Sequence, residues 1–476
     1  MRLRDTGRPW PRKLRVDCKS DAAAALIARF GGSPSGDGDV DAVTVELIAG
    51  DQPREGYAID LFEDRIVVAA SEDAGFRHAA TTLGELAAMG GYRIGRIVDA
   101  PSLSIRGFHL NFESYRRMGI DEAHRLLTAA AKFKLNAILV EYGPRFPYAE
   151  HPWVCDRALA RDDVVALQES AASLGLSFIP LQPSLAHMDY VLRHDRVGHL
   201  RERPDRANLM CPTHEESRRL AAALLSEVMD LHPLGRFVHI GGDEARKIGA
   251  CDRCREAVRA QGVGGVIGEF LGRLARLVVE RGKRPIVWDD TLCAHPDALA
   301  HLPKETIIQY WDYLAVADPT PVLIPRMAHA RYGAPRVAHD WSWAVTGKAG
   351  RLSDVQRAVI RRYSRPSRLR RALGKDFLAK FRRYLGDGFP RWMTALPYIE
   401  FYQDRGFDVI TSPTGMGNGD MTDGTPNFAR FERNIITHAG RCRRNGKALG
   451  IITTAWYDMP PEMLYQPLIR TAMAAW

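Results

Sequence analysis

From Ile105 onward, short apolar or β-branched runs alternate with longer stretches of helical spacing, and this alternation limits the fold more than any other feature of the chain. Eight runs have strand character: Ile105 to Asn111, Ala137 to Glu141, Ser177 to Gln182, Arg236 to Gly241, Pro285 to Asp289, Thr306 to Tyr310, Asp408 to Ser412 and Ala448 to Ala455. Between them lie helical stretches such as Ile120 to Lys134, Arg161 to Leu174, Glu215 to Leu231 and Arg253 to Arg281. Repeated strand–helix units imply a parallel sheet, and eight of them imply an α/β chain closed as a (β/α)8 TIM barrel. The pattern begins near residue 98, at Asp99-Ala100-Pro101. Residues 98–476 are therefore assigned to the barrel and 1–97 to a small α+β accessory domain, with strands at Val43 to Ala49, Tyr57 to Phe62 and Arg65 to Ala70 and a helix at Ala74 to Met89. A barrel usually needs about 250 residues, so this one must carry insertions; the largest, at about 330–400, precedes strand seven.

Composition narrows the class. Of 476 residues, 46% are hydrophobic and 26% charged, as in soluble globular proteins, which argues against disorder and fibrous architecture. No run reaches the roughly 18 apolar residues of a membrane-spanning helix, and the basic start, Met1 to Val16, has no apolar core of a signal peptide, so a cytoplasmic location is expected. Seven scattered cysteines do not form a disulfide framework. The net charge of +9 is local: Lys348 to Arg391 holds 14 Lys or Arg against three acids, and the rest of the chain is slightly acidic. Such a run is ordinarily a solvated face; the sharper reading is a rim that attracts an anionic glycan, with nucleic acid a weaker alternative.

Catalytic groups in such barrels stand at the carboxyl ends of the strands. Polar and aromatic residues gather there: Asn111 and Glu113, Glu141 and Tyr142, His187, Asp243 and Glu244, Trp288 to Asp290, Trp311 and Asp312, Trp456 and Asp458. Carboxylates rimmed by tryptophans suit a sugar site, since sugar C–H faces stack on indole while acids act on the glycosidic bond. The sharpest segment is Val238-His239-Ile240-Gly241-Gly242-Asp243-Glu244, an apolar strand that turns through paired glycines and delivers two adjacent carboxylates. Adjacent carboxylates cannot easily face each other about 5 to 5.5 Å apart across a bond, as ordinary retaining glycosidases require; one alternative is a nucleophile supplied by the substrate.

The segment His239 to Ala245 resembles the signature of glycoside hydrolase family 20, the β-N-acetylhexosaminidases. Other segments match in order: Arg106-Gly107-Phe108, Phe146-Pro147-Tyr148, Ile179-Pro180-Leu181 with Ser184 to His187, Ile286 to Asp290, Gln309-Tyr310-Trp311 and Thr454-Ala455-Trp456. In the accessory domain, Glu55-Gly56-Tyr57, Ile66-Val67-Val68 and Thr81 to Leu86 are also similar. Tyr190 to His194 and Leu200-Arg201-Glu202 look most like the intracellular, hexosaminidase-D-like branch. The resemblance implies that Glu244 is the general acid and base, with its pKa raised toward neutrality, and that Asp243 orients the 2-acetamido group whose oxygen attacks the anomeric carbon to give an oxazolinium. It further implies that Arg106 clamps sugar hydroxyls, that Trp288, Trp311 and Trp456 wall the pocket, that His187 and Glu141 form a pair leaning on Glu244, and that Asp458 binds a hydroxyl.

The substrate so implied is a terminal β-linked N-acetylhexosamine of an oligosaccharide or glycoconjugate, and no metal or organic cofactor is required. A homodimer is left open. The family's strand-seven tyrosine is absent from Thr411 to Asp420; Asp420 stands in for the accompanying acid, and Tyr310 or Tyr457 is a candidate for the tyrosine. These departures leave two other readings, a carbohydrate-binding protein without turnover and a glycosidase for a modified amino sugar. Cys251-Asp252-Arg253-Cys254 is a single CxxC, and neither Cys211 nor His214 stands at ligand spacing from it, so the sequence favours no metal site there.

Overall fold

In the computed structural model the described residues are 3–9, 14–17, 43–113, 118–313, 315–318, 324–325, 337–338, 375–389, 393–416, 421–422, 425–456 and 460–476. Asp420, Tyr457, Asp458 and most of the basic segment lie outside them. The chain divides into two compact units, one comprising mainly Met1–Ser102 and the other Leu103–Ala131 with Leu135–Ala475.

The first unit is a six-stranded mixed sheet in the order Leu3–Pro9, Gly91–Asp99, Tyr57–Leu61, Arg65–Ala70, Val43–Ala49 and Leu14–Asp17. Period-two alternation buries Ile66, Val68 and Ala70 on one face, where the helix Asp73–Ala88 sets down Ala79, Ala80 and Leu83. Ala79 and Leu83, four apart on one helix face, join these residues in the sheet's core.

The second unit is a closed barrel of eight parallel strands: Ile105–Asn111, Ala137–Glu141, Ser177–Leu181, Phe237–His239, Arg284–Trp288, Ile307–Trp311, Asp408–Ser412 and Gly450–Ala455, numbered one to eight below. Strand eight pairs with strand one, Gly450 opposite Ile105, and closes the ring. Alternate positions fill the interior, with Leu139, Ile179, Leu181, Ile286, Ile307, Ile410 and Ile452 in one apolar cluster capped by Trp288. The intervening residues face outward under helices such as Ile120–Lys132, Arg161–Ser173 and Glu215–Leu231, whose buried stripes recur at three- and four-residue spacing.

Two elements differ from the expectation. The stretch Arg253 to Arg281 corresponds to Asp252–Glu280, which is two helices joined at Gly262, whose φ of 76° breaks the helical run. Strand four is shorter than Arg236 to Gly241 as a regular element, although Ile240 N still donates to Ile286 O at 2.8 Å and Gly241 O accepts from Trp288 N at 3.0 Å. No helix among the described residues is long and apolar enough to cross a membrane.

Candidate active site

The end of strand four determines where the site lies. At Gly241, φ is +68°, and a Cβ there would stand 2.8 Å from Ser184 N, so only glycine allows the chain to turn against the loop after strand three. Below the turn His239, fully buried, accepts the Gly241 N–H on Nδ1 at 2.9 Å and packs its ring 4.5 Å from Trp288. The turn delivers Asp243 and Glu244 beside His187, whose Nε2 lies 3.3 Å from Asp243 Oδ2 and 3.5 Å from Glu244 Oε2. Glu244 and His187 both hold left-handed backbone, φ +51° and +57°, which non-glycine residues adopt at a cost. Asp290, just past strand five, supports that conformation by accepting the Glu244 N–H on Oδ2 at 3.0 Å, while its Oδ1 accepts from Trp311 Nε1 at 3.3 Å.

Electrostatics follow from these contacts. The Asp243 carboxylate pushes His187 up to about 12, so the imidazole is cationic at any working pH. Burial would raise Glu244, but the hydrogen bond from His187 and the guanidinium of Arg246, whose Nη2 is 2.5 Å from Glu244 Oε1, outweigh it and hold the carboxyl below its usual range. The resting state therefore differs from the raised pKa that the resemblance implies, because His187 and Arg246 both favour the carboxylate. Deeper in the barrel mouth, burial and the charge of Glu141 push Glu113 up to about 8, and burial and the charge of Asp243 push Glu141 up to about 7. Glu113 and Glu141 therefore titrate together, above the usual carboxylate range.

The structure rearranges several expected roles. Arg106, the expected hydroxyl clamp, is the second residue of strand one and fully buried, and its Nη1 donates to Leu103 O at 2.9 Å. His187 reaches Asp243 and Glu244 and its charge also acts on Glu141, whose Oε2 lies 3.4 Å from His109 Nε2 and accepts from Asn111 Nδ2 at 3.5 Å. Trp288 is 2% exposed and forms the floor of the mouth, 6.0 Å from the partly exposed Trp456. Tyr310 faces out of the barrel against Tyr398, 5.6 Å away.

Tyr313, which the strand-end reading passed over, stands 4.9 Å from Trp311 and accepts on its hydroxyl from Trp456 Nε1 at 2.7 Å and Thr454 Oγ1 at 3.0 Å. It links the ends of strands six and eight. Its position two residues after Trp311 was the only trace of this in the sequence. Asp290 closed a recognised motif, whereas Arg246 was only adjacent to one and carried no signal of its own.

The described residues thus form a parallel barrel whose mouth brings together adjacent carboxylates, a histidine beside both of them, and indoles. Residues 185–320 match the model of glycosyl hydrolase family 20, catalytic domain, and these residues include His187, Asp243, Glu244, Asp290, Trp311 and Tyr313. Over this segment the chain is similar to that family. It is 30% identical to Hexosaminidase D of Bos taurus over 193 residues, 38% of this chain and 56% of that protein, and 29% identical to Hexosaminidase D of Homo sapiens over 231 residues, 46% of each. The matches thus span about half the length of these curated relatives. The fold matches a β-N-acetylhexosaminidase from Bacteroides fragilis with a TM-score of 0.66 over 98% of this chain and 88% of that one, at 15% identity.

Proposed function

We propose that the protein is a retaining exo-glycosidase that removes terminal β-linked GlcNAc or GalNAc, the substrate's own 2-acetamido group serving as nucleophile. The observation that carries this reading is the pairing of Asp243 and Glu244 on one imidazole: adjacent acids anchored at one side of the pocket suit a proton donor and an acetamide-orienting partner better than an acid facing a nucleophile. In the first step Glu244 gives its proton to the glycosidic oxygen, the C1–O bond breaks with its electron pair going to that oxygen, and the acetamide oxygen bonds to C1. Asp243 accepts the acetamide N–H and balances the oxazolinium charge. In the second step Glu244 takes a proton from water, whose oxygen attacks C1 from the face the aglycone left, reopening the ring with retention. Trp288 and Trp456 offer apolar surface to the sugar and acetamide methyl, and the Tyr313 hydroxyl is the candidate for the family's missing tyrosine.

The test is release of 4-nitrophenol from the β-GlcNAc and β-GalNAc glycosides. Turnover of at least one, blocked by a thiazoline mimic of the intermediate, is expected; a folded protein inert on both would overturn the reading in favour of a binding protein or a modified amino sugar.

Arg246 supplies a second prediction. Its charge favours ionised Glu244, so Arg246→Gln raises the pKa of the acid and lets Glu244 keep its proton to higher pH. The alkaline limb of the kcat/KM profile is expected to move to higher pH. An unmoved limb would mean that Arg246 leaves Glu244 before the chemical step.

A further inference from the structure

Outside the residues described above, three thiols and a buried carboxylate converge from two separate loops. Cys211 follows the hairpin Arg201–Arg203 and Arg206–Met210, while Cys251 and Cys254 open the helix Asp252–Glu280. Cys211 Sγ lies 3.6 Å from Cys251 Sγ and 3.4 Å from Cys254 Sγ, and Cys251 Sγ lies 3.1 Å from Glu202 Oε2. All four ligand atoms fall within 4.8 Å of one another.

We propose that Glu202, Cys211, Cys251 and Cys254 form a structural zinc site. A tetrahedral zinc with bonds of about 2.3 Å to sulfur sets neighbouring sulfurs roughly 3.8 Å apart, a few tenths of an ångström from the spacing present here. A disulfide needs about 2.05 Å. Thiolate ligands select zinc over magnesium or calcium, and four protein ligands leave no position for substrate, which makes the site structural.

The surroundings are built for such an ion. Glu202 is fully buried, and its Oε1 accepts the N–H groups of Gly249 at 2.8 Å, Ala250 at 2.7 Å and Cys251 at 3.2 Å, so the carboxylate is oriented with Oε2 toward the sulfurs. Cys254 N donates to Cys251 Sγ at 3.3 Å, and Thr213 Oγ1 stands 3.3 Å and 3.2 Å from the sulfurs of Cys211 and Cys254. A divalent ion displaces the thiol protons and its charge offsets the repulsion among the resulting thiolates and the Glu202 carboxylate.

The ion would join the two loops that carry the catalytic side chains. The hairpin before Cys211 bonds to the His187 loop through Met210 N to Leu185 O at 2.8 Å and Met188 N to Asn208 O at 3.3 Å, and Cys251 lies seven residues beyond Glu244. Zinc at this place fixes His187 relative to Asp243 and Glu244. The site stands on its own geometry and holds whether or not the protein cleaves hexosaminides.

The experiment is metal analysis of the untagged full chain by mass spectrometry, with a parallel preparation grown in cobalt. About one zinc per chain is expected, and the cobalt protein should show intense sulfur-to-cobalt charge-transfer bands with the visible bands of a tetrahedral ion. The Cys251→Ser/Cys254→Ser variant should lose zinc at least ten-fold, and Glu202→Gln should release it faster to a chromophoric chelator. Less than about a tenth of a zinc per chain, absence of the charge-transfer bands, a Cys211 disulfide in the mass spectrum, or full zinc in the double variant would each overturn the proposal. The wild-type cobalt spectrum decides the matter even if the double variant does not fold.

Discussion

Glu244→Gln is expected to lower kcat/KM by about 10³- to 10⁴-fold on an oligosaccharide, within the range general acid–base catalysis supplies. On the 4-nitrophenyl glycoside the deficit in kcat/KM should be smaller, because nitrophenolate departs without a proton; kcat should stay low because water must still be deprotonated. Asp243→Asn should cost about 10²- to 10³-fold on both substrates, since it removes the charge opposite the oxazolinium regardless of the leaving group. The two substrates therefore separate the roles. Both side chains border solvent, so the melting temperatures of the variants should stay within a few degrees of wild type. Equal loss for both variants on both substrates would sink the assignment of proton donor to Glu244 and acetamide partner to Asp243.

Gly450→Ala is expected to destabilise the barrel by about 4 kcal/mol or more, at the exceptional end for a single substitution. Gly450 begins strand eight with φ +149°, and a Cβ on it would sit 1.8 Å from Ile105 O and 2.7 Å from Ile105 C. That contact is backbone, which no rotamer change can relieve. Gly450 pairs with Ile105 on one side and Ile410 on the other, so displacing it opens the seam where the ring closes. Urea unfolding checks the value. Gly440→Ala, in the helix Phe428–Asn445 where an added Cβ meets only the ends of the Arg444 and Arg443 side chains at 3.5 and 3.9 Å, serves as control and should stabilise by about 0.5 to 1 kcal/mol. A mild loss for Gly450→Ala would show that strands one and eight can separate without unfolding.

The departure of Glu244 from its expected protonation illustrates how the site combines local and distant contributions. Its carboxylate reaches the mouth because Gly241 turns there, a feature carried by four consecutive residues. Its ionisation depends on Arg246 and on His187, which arrives from another strand–helix unit.

The sequence by itself determined the eight strands and their order, because a strand buried on both faces must be a short unbroken apolar run, and it marked Asp243 and Glu244, because the paired glycines and the acids are contiguous. Asn111, Glu141 and His187 were legible as strand-end polar groups for the same reason. Only the tertiary structure decided which of them meet. Arg106 lies in a recognised motif, yet as the second residue of strand one it is fully buried and its Nη1 donates to Leu103 O. Tyr313 joins Trp311 to Trp456 across 143 residues of chain, and Cys211 reaches Cys251 across 40. No spacing rule encodes such pairs, since their separation is set by the intervening units; closing the ring of strands is what brings the loops together.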